Sequence, residues 1–381
     1  MIYLDNASTT QIDPRVLQAM MPYLTEEYGN PGTLYGLGRR ARKAISEART
    51  KVADFIGAKP EQIIFTSGGS EANNLAIYGL EKSVFSKKRY IITSEIEHDS
   101  LLKAVERTKE NCDLYVIYLA PNEAGYVEPC FVEEVINKYD GEVGLVSIMH
   151  TNNETGVSND VEAIGRICHS HKVLFHTDCV QAAGCFPLNV NKIGCDFLSI
   201  SSHKVHGAKG VGALYVRDRK WLNPLILGGN FQEFGLRGGT ENVAGIVGFG
   251  EACKIAQELL YSIEGTLKFT FLDTLIKEIG SSGFHTNGKW NSGKTTSVYF
   301  EGVDAETLLL MLDSQGVCVS AGSACRSHEN EPSRVLVAMG ISPEVARNSI
   351  RISVSRMNTK EEMVKAAKII ADCVKILRNQ H

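Results

Sequence analysis

The sequence predicts an α/β fold in which a mostly parallel sheet is covered by helices on both faces and followed by a smaller α+β domain. Three observations carry this expectation. Short runs rich in Val, Ile, Leu, Phe and Tyr alternate with helical patterns; the runs are too brief to be helices; and past about residue 260 the alternation gives way to another order of elements.

Ala41 to Gly57 carries Ile45, Ala48, Val52 and Phe55 at helical spacing and stops at glycine, which predicts an amphipathic helix. Ile63 to Thr66, Tyr90 to Thr93, Leu114 to Leu119, Gly144 to Met149, Val173 to His176 and Asp196 to Ile200 read as buried strands. The second region is expected to hold a helix, strand Thr296 to Phe300, helix Ala305 to Gln315, strands Val317 to Val319 and Ile350 to Val354, and a closing helix. That last helix opens on a capping box, Thr359 to Glu362, and lines Met363, Ala367, Ile370, Val374 and Leu377 along one face.

With 381 residues, 43% hydrophobic and 22% charged, the chain suits a globular protein of two domains. The expected division is a large domain over 13–259 and a small one joining 1–12 to 260–381. A net charge of -4 gives no broad positive field, which argues against nucleic acid or an anionic membrane as partner. Met1 to Asn6 lacks a basic region leading into an apolar run, and no stretch approaches the roughly 18 apolar residues of a membrane span. A cytoplasmic protein acting on a small molecule is expected. The ten cysteines show no C-x-x-C pair or zinc-like spacing, so reduced thiols without metal are the expectation, most of them packed as small core residues.

In a doubly wound sheet, ligands sit where strands end. Ile63-Ile-Phe-Thr66-Ser-Gly-Gly69-Ser70 runs from a strand through two glycines into a helix, which suits an anion at the helix N-terminus, although a plain tight turn reads the same way. Val173-Leu-Phe-His-Thr-Asp178 delivers an acid at a strand exit, where it could equally cap a helix. The next strand exits into Ser201-Ser202-His203-Lys204. An aspartate on one strand end and a lysine on the next are what pyridoxal phosphate requires: the acid keeps the pyridine nitrogen protonated, and the amine captures the aldehyde as a Schiff base.

Together with Tyr3-Leu-Asp-Asn6-Ala-Ser-Thr-Thr, Val146-Ser-Ile-Met-His-Thr-Asn-Asn153-Glu-Thr-Gly156 and Ser320-Ala-Gly-Ser-Ala-Cys325, these stretches resemble the NifS/IscS-type cysteine desulfurases of the class V aminotransferase group. The likeness runs nearly end to end. It implies the fold type I architecture of pyridoxal-phosphate transferases, with a seven-stranded type of sheet, and a homodimer. By resemblance, Lys204 carries the cofactor, Asp178 pairs with the ring nitrogen, His98 stacks on the ring, and Asn153 and Gln181 reach its phenolic oxygen. Gly69, Ser70, Ser201 and His203 would hold the phosphate, joined by Thr240 of the other subunit, and Arg351 would clamp the substrate carboxylate in two-pronged fashion. Blander roles stand beside these: His98 as a helix cap, Asn153 as a turn residue, Arg351 as a strand-edge charge.

Cys325 discriminates among reactions of this cofactor. It lies in a Gly/Ser-rich stretch before Pro332, followed by Arg326, Ser327, His328, Glu329 and Asn330, and so reads as part of a polar loop rather than a core. A free thiol ionises at about 8.5, so a neighbouring cation such as Arg326, His328 or His98 would be needed to raise its thiolate fraction. The implied reaction takes sulfur from L-cysteine, releases L-alanine and leaves a persulfide on Cys325 for an acceptor such as an iron-sulfur scaffold protein. A selenocysteine lyase, another lyase or an aminotransferase of the same group is the alternative, and a transaminase has no use for that cysteine. Intact Lys204, Asp178, His98 and Cys325 argue against an idle binding platform. The chain departs from the family pattern at Asn30-Pro-Gly-Thr-Leu-Tyr35, at Gly69-Ser70, and at Phe231 and Phe234, where glycine and arginine are usual.

Overall fold

A computed structural model describes residues 1–80, 84–85, 88–229, 231–260, 264–289, 293–322 and 331–379. After a two-residue strand, β1 (Ile2–Tyr3), the chain builds a seven-stranded sheet from β2 (Ile63–Thr66), β3 (Tyr90–Ser94), β4 (Tyr115–Leu119), β5 (Val143–Ser147), β6 (Leu174–Asp178), β7 (Phe197–Ser201) and β8 (Gly212–Val216). Their order across the sheet is β2-β8-β7-β6-β5-β3-β4. Pairing is parallel except at β8, which runs antiparallel to both β2 and β7.

Six of these strands fall where the apolar runs predict, within a residue or two at their ends, and β5 stops at Ser147 rather than Met149. The sequence reading missed β8. Its Gly-Ala-Leu-Tyr-Val is wholly buried, yet it follows directly on the glycine-rich stretch after Lys204, which reads as loop. Gly212 is required there: a Cβ on it would lie 2.7 Å from the Gly68 carbonyl carbon and 2.8 Å from the Ile200 oxygen. Its absence lets the exits of β2 and β7 approach each other.

The helix predicted from Ala41 runs over Gly36–Ile56, five residues longer at its start, and ends on Gly57 in the left-handed region at φ 68°. Left-handed backbone is nearly free for glycine and costly for most other residues. Ala48, Val52 and Ile56 of this helix join Phe249 and Ile255 of helix Val243–Glu258 in the apolar core against the sheet. The two helices touch at Gly250, where a Cβ would meet the Ala48 Cα at 2.7 Å.

The second core forms around a four-stranded antiparallel sheet of β9 (His285–Asn287), β10 (Thr295–Tyr299), β12 (Ser320–Ala321) and β13 (Ser349–Ser353), ordered β12-β13-β10-β9. The strand expected over Val317 to Val319 is found as β11 (Val317–Cys318), which pairs in parallel with β1, while the residues just beyond it form β12, which joins β13. Phe271, Leu275, Phe300, Leu312 and Ile370 fill this core beside Ile2 and Leu4. Its closing helix, Lys360–Arg378, has the predicted capping box, with Glu362 N donating to Thr359 Oγ1 at 3.1 Å and Thr359 N to Glu362 Oε2 at 3.1 Å. Among the described residues no helix is long and apolar enough to cross a membrane.

The amino-terminal turn links the two cores. Asp5 bridges to Ser353, Ala7 N donates to Ser353 Oγ at 2.8 Å, and Thr10 N donates to the His203 carbonyl at 3.0 Å. Residues 5–10 thus run from the small sheet to the turn that bears Lys204.

Candidate active site

The ends of β6 and β7 set the centre of the site. Lys204 occupies a single 3-10 turn, Ser202–Lys204, directly after β7, and its Nζ donates to the carbonyl oxygens of Ala7 at 2.5 Å and Ser8 at 2.7 Å. Two neutral acceptors leave its charge uncompensated. Burial first, then the nearby Lys294 and Arg351, lower the Lys204 amine from its ordinary 10.5 to about 7, against a smaller opposing pull from Asp5 and Asp178. At neutrality much of it is therefore the free amine, a nucleophile and a base.

Asp178 ends β6 and is 5% exposed. Asn73, from the helix after the glycine turn, donates to its Oδ2 at 2.7 Å, and Val180 N donates to Oδ1 at 2.9 Å. This carboxylate is fixed by hydrogen bonds rather than by a salt bridge, so its charge remains available to a cationic ring nitrogen.

His98 does two jobs at once. It caps helix Asp99–Cys112, its Nδ1 accepting from Ser100 N at 3.1 Å, and its ring lines the cavity that holds Lys204. The bland and functional readings of this residue are compatible because capping engages only one ring nitrogen.

That cavity measures about 610 Å³ and is walled in part by Ala7, Ser8, Glu97, His98, Asn153, Gln181, Lys204, Cys318 and Arg351. Arg351 projects from β13, an interior strand, and is 2% exposed, so it is not the edge charge that its sequence context allows. Its Nη2 donates to Asp5 Oδ1 at 2.8 Å and Ser8 Oγ at 2.5 Å, and its Nη1 to the Asn153 carbonyl at 3.1 Å. Gln181 donates through Nε2 to Ala7 O at 2.9 Å, while its Oε1 is buried without a partner.

Gly69 and Ser70 open helix Gly69–Tyr78 at the exit of β2. A Cβ on Gly69 would come within 2.7 Å of Val180 Cγ2, so the turn beside β6 is closed to larger residues. Ser201 ends β7 with its hydroxyl buried and unbonded, pointing to a partner yet to be supplied. His203 is kept neutral: burial and the Lys204 charge lower it to about 4, and its Nδ1 lies 3.1 Å from Thr9 Oγ1. Gly69, Ser70, Asp178, Ser201 and His203 are not part of the cavity wall. Thr240 is exposed and outside the wall as well. Cys325 lies outside the described residues.

Sequence reasoning assigned no chemistry to Ala7, Ser8, Asn73 or Glu97. The signal for the first two was the Tyr3 to Thr10 stretch, but what they contribute is largely main-chain carbonyls, which every residue possesses. Glu97 is fully buried in the wall, accepts from Ser94 Oγ at 2.6 Å and Met149 N at 2.9 Å through Oε1, and is pushed up to about 8 chiefly by that burial. Among the described cysteines, burial likewise raises the thiols of Cys168, Cys179, Cys185, Cys195, Cys253 and Cys373. All of these but the half-buried Cys185 are core residues, as expected. No group of side chains suited to a metal ion occurs among the described residues.

The aminotransferase class-V family model matches residues 2–365. The chain belongs to the aminotransferase class-V family. A curated relative, the cysteine desulfurase IscS of Dictyoglomus turgidum, is 41% identical over 382 aligned positions covering 99% of this chain and 95% of the relative. Of solved structures, a NifS-like protein superposes with a TM-score of 0.90 at 35% identity, covering 98% of this chain and 99% of its own. A second, described as SspA in complex with cysteine, superposes with a TM-score of 0.82 at 37% identity over 93% of this chain and 99% of its own. The class-V family and its NifS-like neighbours share this fold, the mostly parallel seven-stranded sheet with a smaller α+β unit.

Proposed function

We propose that this protein is a pyridoxal-phosphate-dependent cysteine desulfurase that converts L-cysteine to L-alanine and takes the sulfur as a persulfide on Cys325. The observation that carries the reading is the convergence of a lysine lowered to about 7 and a buried arginine on one cavity, bridged by Ser8, with Asp178 held at the end of the neighbouring strand. Relatives named cysteine desulfurase at about 40% identity along the whole chain support it.

The side chains fit the cofactor. The buried hydroxyl of Ser201 and the buried Oε1 of Gln181 have no partner of their own, and the helix at Gly69 offers free backbone N–H groups beside Ser201. Lys204 would hold the aldehyde, Asp178 the ring nitrogen, His98 the ring face, and Asn153 and Gln181 the phenolic oxygen. Gly69, Ser70, Ser201 and His203 would take the phosphate. When bound, the ring withdraws electrons from the substrate Cα.

The chain's own residues supply the rest. Arg351 receives the substrate carboxylate and so fixes the amino acid's orientation. Lys204, titrating at about 7, can take the Cα proton and return one when alanine forms. The Cys325 thiolate bonds to the substrate sulfur as the Cβ–S bond breaks; protonation of the carbon completes alanine, and the sulfur stays on the enzyme for an acceptor protein such as an iron-sulfur scaffold.

A second copy of the chain would complete the assembly. Phe231 is fully exposed and Leu227 and Leu34 are each 81% exposed, an amount of surface apolarity that suits a homodimer, with Thr240 reaching the partner's phosphate site. Free cysteines throughout the described residues suit the reducing cytoplasm. The direct test mixes protein, pyridoxal phosphate and L-cysteine and assays alanine and sulfide. Equal release of both in the presence of a reducing thiol supports the proposal, and pyruvate in place of alanine would make it a lyase of another kind.

A further inference from the structure

Arg351 already has an ion-pair partner within the protein. Its Nη2 is held by Asp5 Oδ1 at 2.8 Å and Ser8 Oγ at 2.5 Å, and its Nη1 by the Asn153 carbonyl at 3.1 Å. Ser8 and Asn153 line the cavity together with Arg351, whereas Asp5 does not. The Asp5 carboxylate therefore pairs with the arginine from behind. Its backbone is fixed by the bridge to Ser353 and by the Tyr3 hydroxyl, which donates to the Asp5 carbonyl at 3.0 Å.

A carboxylate entering the cavity must share one guanidinium with this resident anion. Two negative charges around a single cation repel each other, and burial weakens the screening that would soften this repulsion. A fully unpaired buried arginine would bind an amino-acid carboxylate more tightly, but the product carries the same carboxylate as the substrate. Tight binding of both slows release without favouring the reaction.

We propose that Asp5 is a positioning residue acting through Arg351, aiming the guanidinium into the cavity while loosening its hold on the amino-acid carboxylate so that the product can leave. This rests on Arg351 being the carboxylate site of the proposed desulfurase.

The test measures binding of L-alanine to the cofactor-loaded protein by calorimetry, with L-alaninamide as a probe lacking the carboxylate. Asp5→Asn keeps the size and an acceptor oxygen but removes the charge, and Asp5→Ser serves if the first variant fails to fold. Either folded variant should bind alanine roughly three- to tenfold more tightly, with alaninamide unchanged. Ser8→Ala, which removes the other Nη2 partner but leaves the Asp5 charge in place, should tighten alanine by less than either Asp5 variant does. Alanine affinity that is unchanged or weaker in the Asp5 variants overturns the proposal, as does equal tightening of alaninamide. Arg351→Gln separates this from the underlying reading: if it weakens alanine binding while the Asp5 variants do not tighten it, only the role of Asp5 fails. If Arg351→Gln binds alanine as well as the parent does, the carboxylate site itself is misassigned.

Discussion

Lys204 and Arg351 are joined through one residue: the Lys204 amine donates to the Ser8 carbonyl at 2.7 Å, and the Ser8 hydroxyl accepts from Arg351 at 2.5 Å. The amino-terminal turn thereby holds the group proposed to carry the cofactor aldehyde at a set spacing from the group proposed to receive the substrate's carboxylate. Ala7 extends the link to Gln181, whose Nε2 donates to the same carbonyl that accepts from Lys204.

The state of Lys204 predicts how the protein captures its cofactor. Burial and two neighbouring cations lower this amine to about 7, and only the neutral form attacks an aldehyde. When apoprotein is mixed with pyridoxal phosphate and trapped with borohydride, incorporation should climb around about pH 7 and level off roughly one to two units above it. An ordinary lysine would still be gaining at that point. Peptide mapping should find the label on Lys204, and Lys204→Ala should remove it. A label on any other lysine would displace Lys204 from this role.

Ser201 separates cofactor binding from folding. Its buried hydroxyl has no partner within the protein, so Ser201→Ala gives up no internal hydrogen bond. The apoprotein should melt at the same temperature or slightly higher, while affinity for pyridoxal phosphate falls by about 1–2 kcal/mol. Fluorescence titration and a thermal melt read the two effects independently. Loss of stability without loss of affinity would mean that the hydroxyl serves the fold instead.

Much of this site is visible in the sequence because it is built from side chains at strand ends. Asp178 and Lys204 stand out where apolar runs stop, and Gly69 where a strand turns into a helix. What stayed hidden is carried by backbone or by pairing. The carbonyls of Ala7 and Ser8 have no residue signature. Strand β8 is masked by the glycine stretch before it, and nothing in the strand read over Val317 to Val319 signals that the next residues, Ser320 and Ala321, join a second sheet. Arg351 and Asp5 are far apart in the chain, and it is long-range pairing, such as the bridge of Asp5 to Ser353 and the bond from Ala7 N to Ser353 Oγ, that brings them together.

Glu97 predicts a pH dependence with a definite sign. Burial, aided by the charge of Asp178, raises its carboxyl from 4.5 to about 8. The folded chain thus keeps a proton that the unfolded chain releases at lower pH, so this group's contribution to stability is complete below about 4.5 and is lost as pH rises through about 8. Glu97→Gln stays neutral throughout and its amide oxygen can still accept from Ser94 and Met149. The melting temperature of the variant relative to the parent should therefore rise by roughly 2 °C or more across that interval. A difference that does not change with pH would show that Glu97 is ionised in the fold.

In the proposed reaction sulfur leaves the substrate for a cysteine of this chain, and that cysteine is Cys325. Nine cysteines fall among the described residues, and of these Cys318 lines the cavity, which makes it the natural rival. Brief exposure of the cofactor-loaded protein to L-cysteine, followed by mass spectrometry of its peptides under non-reducing conditions, addresses both candidates at once. One added sulfur is expected on the peptide containing Cys325, with alanine released in equal amount, and neither in Cys325→Ser, which should still bind pyridoxal phosphate. An added sulfur on Cys318, or alanine formed at the parental rate by Cys325→Ser, would contradict the proposed reaction.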